Sequence, residues 1–178
     1  MLPFARIFAA AAILTAPITA QAALNVGAKA PTFDTKAAIA GKDFSFSLAS
    51  ALKKGPVVLY FFPAAFTAGC TIEAHAFAEA TEEFNKLGAT VVGMTAGNID
   101  RINEFSKVEC RDKFAVGVAT PAMIEKYDVK LAGKPGWTDR TSYVIAPNGK
   151  IIFVHSDRSP AEHITMSMDA VKTWKAKH

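Results

Sequence analysis

GPVVLYFFPAAFTAGCTIEAHAF, residues 55–77, is the stretch that decides the fold. Pro56 to Phe62 is an unbroken apolar run rich in β-branched and aromatic side chains, with the length of a strand buried on both faces. Pro63 has no N–H to give a ladder and stiffens the exit from that strand. Beyond a short loop the period changes. A helix is expected to start near Cys70, with Ile72, Ala76, Phe77, Ala80, Phe84 and Leu87 on its inner face. Glu79, Glu82, Glu83 and Lys86 fall mostly elsewhere, and Gly88 ends it. A buried strand, a loop and a cysteine opening a helix place that cysteine beyond the carboxyl end of a central strand, where α/β sheets carry reactive sites.

The same alternation continues outward. Lys42 to Ser47 reads as a strand after a turn at Gly41, and Ser47 caps a short helix through Lys53. Thr90 to Met94 is a second buried strand. Ile99 to Lys113 reads as a helix with Ile102 and Phe105 facing inward, and Ala115 to Ala119 as a third strand. A short helix from Pro121 to Tyr127 follows. Ser142–Ala146 and Lys150–Val154 flank Pro147-Asn148-Gly149, a hairpin signal. A last amphipathic helix carries Ile164, Met168, Val171 and Trp174. These elements predict an α/β fold: a three-layer α/β/α sandwich, thioredoxin-like, with a mixed central sheet. No linker or repeat interrupts residues 23–178, which are expected to form a single domain.

Residues 1–22 read differently. Met1–Arg6 is a short n-region with one positive charge, Ile7–Ala20 an apolar h-region, and Ala20-Gln21-Ala22 an A-x-A site. Cleavage between Ala22 and Ala23 is expected, with export to the periplasm. The run is short for a spanning helix and Pro17 interrupts it, so the mature form is expected off the membrane. The net charge of +4 is mild and spread along the chain, without the basic stripe that nucleic acid or a lipid surface requires. Export implies an oxidising compartment, which favours pairing of the two mature cysteines, Cys70 and Cys110. His75, His155, His163 and His178 have no ligand spacing and there is no glycine-rich phosphate loop, so neither metal nor cofactor is expected.

A thiol attacks peroxide as thiolate, and a helix N-terminus stabilises that anion. A hydroxyl and a cation near the sulfur assist further. Thr67, three residues before Cys70, supplies a hydroxyl at the lip of the loop. Pro63 to Cys70 spells P-x-x-x-T-x-x-C, and with Thr71-Ile72-Glu73 it is similar to the active-site motif of the peroxiredoxin family. Leu24–Gly27 with Ala30–Phe33 resembles the family's N-terminal hairpin. Gly136-Trp137-Thr138-Asp139-Arg140-Thr141-Ser142 is similar to its G-x-x-x-R-x-[ST] segment. Length and helix content resemble the Q type, the bacterioferritin-comigratory subgroup.

The resemblance implies a thiol peroxidase acting on hydrogen peroxide and organic hydroperoxides in antioxidant defence. Cys70 is its peroxidatic cysteine, Pro63, Thr67 and Arg140 complete the pocket, and Glu73 is linked to Arg140. Cys70 becomes a sulfenic acid, a second thiol condenses with it, and a thioredoxin-like or other dithiol donor restores it. Q-type members often carry the resolving cysteine five residues after the first, where this chain has His75. The resemblance leaves Cys110 for that role, in a Cys70–Cys110 redox disulfide, and a monomer or weak dimer. On the residues alone, Cys110 also fits a static disulfide or a buried thiol. Two other function classes compete. A thioredoxin-like thiol–disulfide oxidoreductase normally shows C-x-x-C, whereas Thr67 and Glu73 stand three residues either side of Cys70. A non-catalytic binding domain with a structural disulfide would be separated by counting free thiols after peroxide.

Overall fold

The computed structural model describes residues 23–178. The expected leader, with Ala22 on its side of the cleavage site, lies outside the described residues.

The apolar run becomes β3 (Val57–Phe61), every residue of which is buried. Alternation sends Val57, Leu59 and Phe61 into a core with Met123, Tyr127 and Tyr143. It sends Val58, Tyr60 and Phe62 into a second core with Phe77, Phe84, Phe105 and both cysteines. On one side β3 pairs in parallel with β4 (Thr90–Thr95), which pairs in parallel with β5 (Ala115–Val118). On the other side it pairs antiparallel with β6 (Thr141–Ile145), and β6 with β7 (Ile151–Ser156). The sheet is completed by β1 (Asp34–Ile39) and β2 (Lys42–Ser47), giving seven strands in the order β2-β1-β5-β4-β3-β6-β7. Helices α1 (Leu48–Leu52) and α4 (Pro121–Lys126) bury their apolar residues in the first core. Helices α2 (Ala68–Lys86), α3 (Ile102–Val108) and α5 (Ala161–Lys175) cover the other face. This is the three-layer, mixed-sheet architecture expected.

Three local expectations change. The N-terminal hairpin is not built from residues 24–33. It is β1 and β2, joined by Ala40 and Gly41, both with positive φ (52° and 76°), as a two-residue turn matched to strand twist requires. The sequence of β1, DTKAAI, has one β-branched residue near each end and two alanines between, too weak a pattern to stand out. The inner face of α2 consists of Cys70, Glu73, Ala74, Phe77, Ala78, Thr81 and Phe84, while Ile72 is 60% exposed. A buried carboxylate displaces an apolar side chain here because Glu73 has a cationic partner inside. Finally, the helix expected over 99–113 is a 3₁₀ turn (Ile99–Arg101) followed by α3, which stops at Val108. The N–H groups of Glu109 and Cys110 both reach the Phe105 carbonyl, and Arg111 and Asp112 then take left-handed φ values of 50° and 59°. Cys110 thus sits in a turn beyond the helix.

Candidate active site

The loop between β3 and α2 is held by its own carbonyls. Phe62 O accepts from the Thr138 hydroxyl at 2.6 Å, Pro63 O from Thr95 at 3.1 Å, Ala64 O from Thr67 at 3.1 Å, and Ala65 O from the Asn98 amide at 2.8 Å. Each bond satisfies a group that the sheet no longer serves, at a net gain of roughly 1 kcal/mol apiece. The N–H of Phe62 reaches Met94 O, and that of Ala65 reaches Gly97 O. Phe66 is left-handed (φ 61°), a conformation disfavoured for a bulky side chain. Its ring is held between the edge of Phe105 and the guanidinium of Arg101, 3.8 Å above it.

Thr67 is the N-cap residue of α2 by backbone position, but its hydroxyl bonds Ala64 O instead of a helix N–H. The hydroxyl oxygen keeps its lone pairs at the exposed lip of the loop. Cys70 lies in the first helical turn, where N–H groups lack intrahelical partners and the dipole favours an anion. Its side chain is a free thiol, 1% exposed.

Arg140, immediately before β6, brings the cation. Nη2 donates to Cys70 Sγ at 3.5 Å, Nη1 donates to Glu73 Oε2, and Nε donates to Arg158 O at 3.0 Å. Arg140 is 8% exposed, and its guanidinium is held on all three nitrogens. Gly69 leaves this approach uncrowded: a Cβ there would lie 3.2 Å from Nη2, and the guanidinium would have to give by a few tenths of an ångström. Burial pushes the Glu73 carboxyl up to about 8, against the opposing pull of Arg140. A surface depression lined by Pro63, Leu131, Ala132, Arg140 and Asp157 opens beside this group.

Cys70, Glu73 and Arg140 are brought into contact; Pro63 lines the depression beside Arg140, and Thr67 stands at the N-cap of α2, three residues before Cys70. Cys110 is placed on the same side of the sheet, also as a free thiol, fully buried among apolar neighbours. Phe105 and Phe114 belong to the same core as Cys110. Burial pushes its thiol up, with the Glu109 charge adding to this. Two ion pairs, Arg111–Glu79 at 3.1 Å and Lys113–Glu82 at 2.9 Å, and a hydrogen bond between His75 Nε2 and Glu109 at 2.6 Å clip the turn to α2.

The sequence reading passed over a layer behind Arg140. His163 of α5, fully buried, receives the Ser142 hydroxyl on Nδ1 at 2.8 Å and faces Asp157 O with Nε2 at 3.0 Å. Those contacts fix the β6 residue two beyond Arg140 and the turn that binds its Nε. The only available signal was a histidine in the apolar stripe of α5.

Residues 26–154 match the AhpC/TSA family. The chain is 32% identical over 130 residues to the chloroplastic peroxiredoxin Q of Sedum lineare, covering 71% of this chain and 68% of that one. It is 27% identical over 127 residues to peroxiredoxin Bcp of Escherichia coli, covering 68% and 79%. The crystal structure of peroxidoxin BcpB from Mycobacterium tuberculosis superposes with a TM-score of 0.74 at 28% identity, covering 83% of this chain and 96% of that one. A thiol beside a buried arginine at a helix start, on this sheet and with these relatives, has one reading: the chain belongs to the AhpC/TSA family of peroxiredoxins and is a thiol peroxidase.

Proposed function

We propose that Cys70 is the peroxidatic residue and that Cys110 resolves it within the same chain. The observation that carries the first part is the Arg140 Nη2 contact to Cys70 Sγ at the N-terminus of α2. The thiolate attacks the nearer oxygen of a hydroperoxide; an S–O bond forms, the O–O bond breaks, and the leaving oxygen is protonated to water or an alcohol. Arg140 and the helix start stabilise the thiolate and the charge moving onto the leaving oxygen. The Thr67 hydroxyl, turned from Ala64 O, donates to the bound peroxide. Pro63 walls the same side.

Cys70 sulfenic acid then condenses with the Cys110 thiol, releasing water and forming the disulfide. A thioredoxin-type dithiol reduces it by exchange through a mixed disulfide. Both sulfurs are buried, and Cys110 is a poor nucleophile in place, so the Cys110 turn and the first turn of α2 open to let them meet. The left-handed Arg111 and Asp112 favour opening, since a non-glycine residue there is disfavoured by roughly 1–3 kcal/mol. Wild-type protein given stoichiometric peroxide should yield a Cys70–Cys110 peptide. Its absence would replace this cycle with a one-cysteine cycle completed by an external thiol, the reading that the full burial of Cys110 favours.

Residues 1–22 act as a cleaved export signal, and the mature chain works in the periplasm as a monomer or weak dimer. The n-region, h-region and A-x-A triplet support this. N-terminal sequencing of the soluble exported form should find Ala23; finding Met1 would refute it.

A further inference from the structure

Cys70, Arg140 and Glu73 are three ionisable side chains packed out of water with one positive charge among them. Arg140 touches both others, and Glu73 is fully buried. With both Cys70 and Glu73 ionised, two anions share one cation and the second is uncompensated, which a buried site does not tolerate without shifting a proton.

Among the described residues, Arg140 is the one permanent cation within 4 Å of the Glu73 carboxyl. Its Oε1 has no hydrogen-bond partner. His163 Nδ1 of α5 lies 3.9 Å from that oxygen. Because His163 Nε2 faces a carbonyl, Nε2 carries the ring proton, and Nδ1 is a lone pair occupied by the Ser142 hydroxyl. Burial holds that imidazole down to about 4, so it is neutral. His155 lies behind it with ring centroids 4.6 Å apart, Asp157 stands beyond His163, and Tyr60 of β3 lies near Glu73. Glu73 Oε1 therefore faces a lone pair rather than an N–H. A carboxylate oxygen is unsatisfied there, whereas a carboxyl proton can point toward the lone pair.

We propose that Glu73 is a protonated carboxylic acid while Cys70 is a thiolate, and that it loses its proton when Cys70 is oxidised, so that Arg140 always faces one anion. This rests on Cys70 being the peroxidatic residue. The balance is Cys70–S⁻ + ROOH + Glu73–COOH → Cys70–SOH + ROH + Glu73–COO⁻. Sulfur gives two electrons to the peroxide, the leaving oxygen takes one proton from solvent, and Glu73 returns one. In the reduced enzyme the charge of Arg140 is undivided, available to the thiolate and the leaving oxygen. In the oxidised enzyme Glu73 becomes the counterion that keeps Arg140 in place. Glu73 acts through Arg140 and is a positioning residue.

The test uses Cys110→Ser protein, which stops at the sulfenic acid, weakly buffered at neutral pH and given one equivalent of hydrogen peroxide. Proton uptake per Cys70 oxidised should be close to zero, and close to one when Glu73→Gln is added. Equal uptake in the two proteins overturns the proposal. A second measurement needs no change at Glu73: the infrared difference spectrum of wild-type protein should lose a protonated-carboxyl band on oxidation, shifted by isotopic labelling of glutamate. No such loss overturns it as well. A Cys70 thiol that survives peroxide overturns the peroxidatic reading first, and this proposal with it.

Discussion

At Cys70 the chemistry depends on one atom and the charges around it. Cys70→Ser should abolish peroxide consumption while the chain stays folded, because a serine hydroxyl offers no nucleophilic anion at neutral pH; more than a few per cent of single-turnover activity would sink the mechanism. Arg140→Ala removes the cation that touches Sγ. It should slow the reaction by about 10²–10³-fold, the usual loss for one preorganised electrostatic donor. Single-turnover peroxide consumption followed by stopped flow reads this loss, and an unchanged rate would count against this role. Thr67→Val should also lose rate, since it removes the donor to peroxide together with the bond to Ala64 O. These residues were legible in the sequence because they lie in two short motifs whose spacing is local. Thr95, Asn98, Thr138 and His163 were not. Their work is done on carbonyls and side chains of other segments, and nothing within their own segments marks it.

The elements that matter for turnover are the start of α2 and the turn after α3. Two ion pairs and the His75–Glu109 hydrogen bond join residues 75, 79 and 82, one stripe of α2, to alternate residues 109, 111 and 113 of the turn. The two ion pairs are largely exposed, so they restrain the turn only weakly and are screened by salt. Amide exchange across residues 109–113 should rise about 2–5-fold when Glu79→Gln and Glu82→Gln are combined; no change would mean apolar packing alone holds the turn. In Cys110→Ser, intact mass after peroxide should show sulfenic and then sulfinic acid on Cys70, with no intramolecular disulfide. The sequence showed α3 and its inward Ile102 and Phe105, but not its end at Val108. Polar, helix-compatible residues run on to Lys113, and only the burial of Cys110 and Phe114 makes the chain turn.

Across the whole molecule, the layers and β2 followed from alternation of apolar residues, while β1 did not, because Ala37 and Ala38 leave its pattern weak. The buried polar layer behind the site also marks the response to acid. His163 has a folded pKa of about 4, below its ordinary 6.5, because burial disfavours the charged form. The unfolded chain therefore takes the proton first. The stability tied to neutral His163 is complete above about 6.5 and is lost as pH falls toward 4, by roughly 3 kcal/mol in all. Glu73 contributes with the opposite sign: its raised pKa favours folding at low pH, and that share fades as pH rises through about 8. His163→Gln should flatten the fall in denaturation midpoint between pH 6.5 and 4 relative to wild type; parallel curves would show that His163 titrates normally.

Three of the carbonyls at 62–65, those of Phe62, Pro63 and Ala65, taken by the side chains of Thr138, Thr95 and Asn98 from other segments, set the pace at which the site recovers after each opening. A loop that loosened together with the helix would have to search for its closed form. A loop that stays bonded leaves α2 a fixed edge to rewind against, one residue after another, and helix elongation takes on the order of nanoseconds per residue. Reassembly of the pocket is then far faster than the encounter with the next peroxide or the next reductant, and the enzyme waits on diffusion instead of on its own refolding.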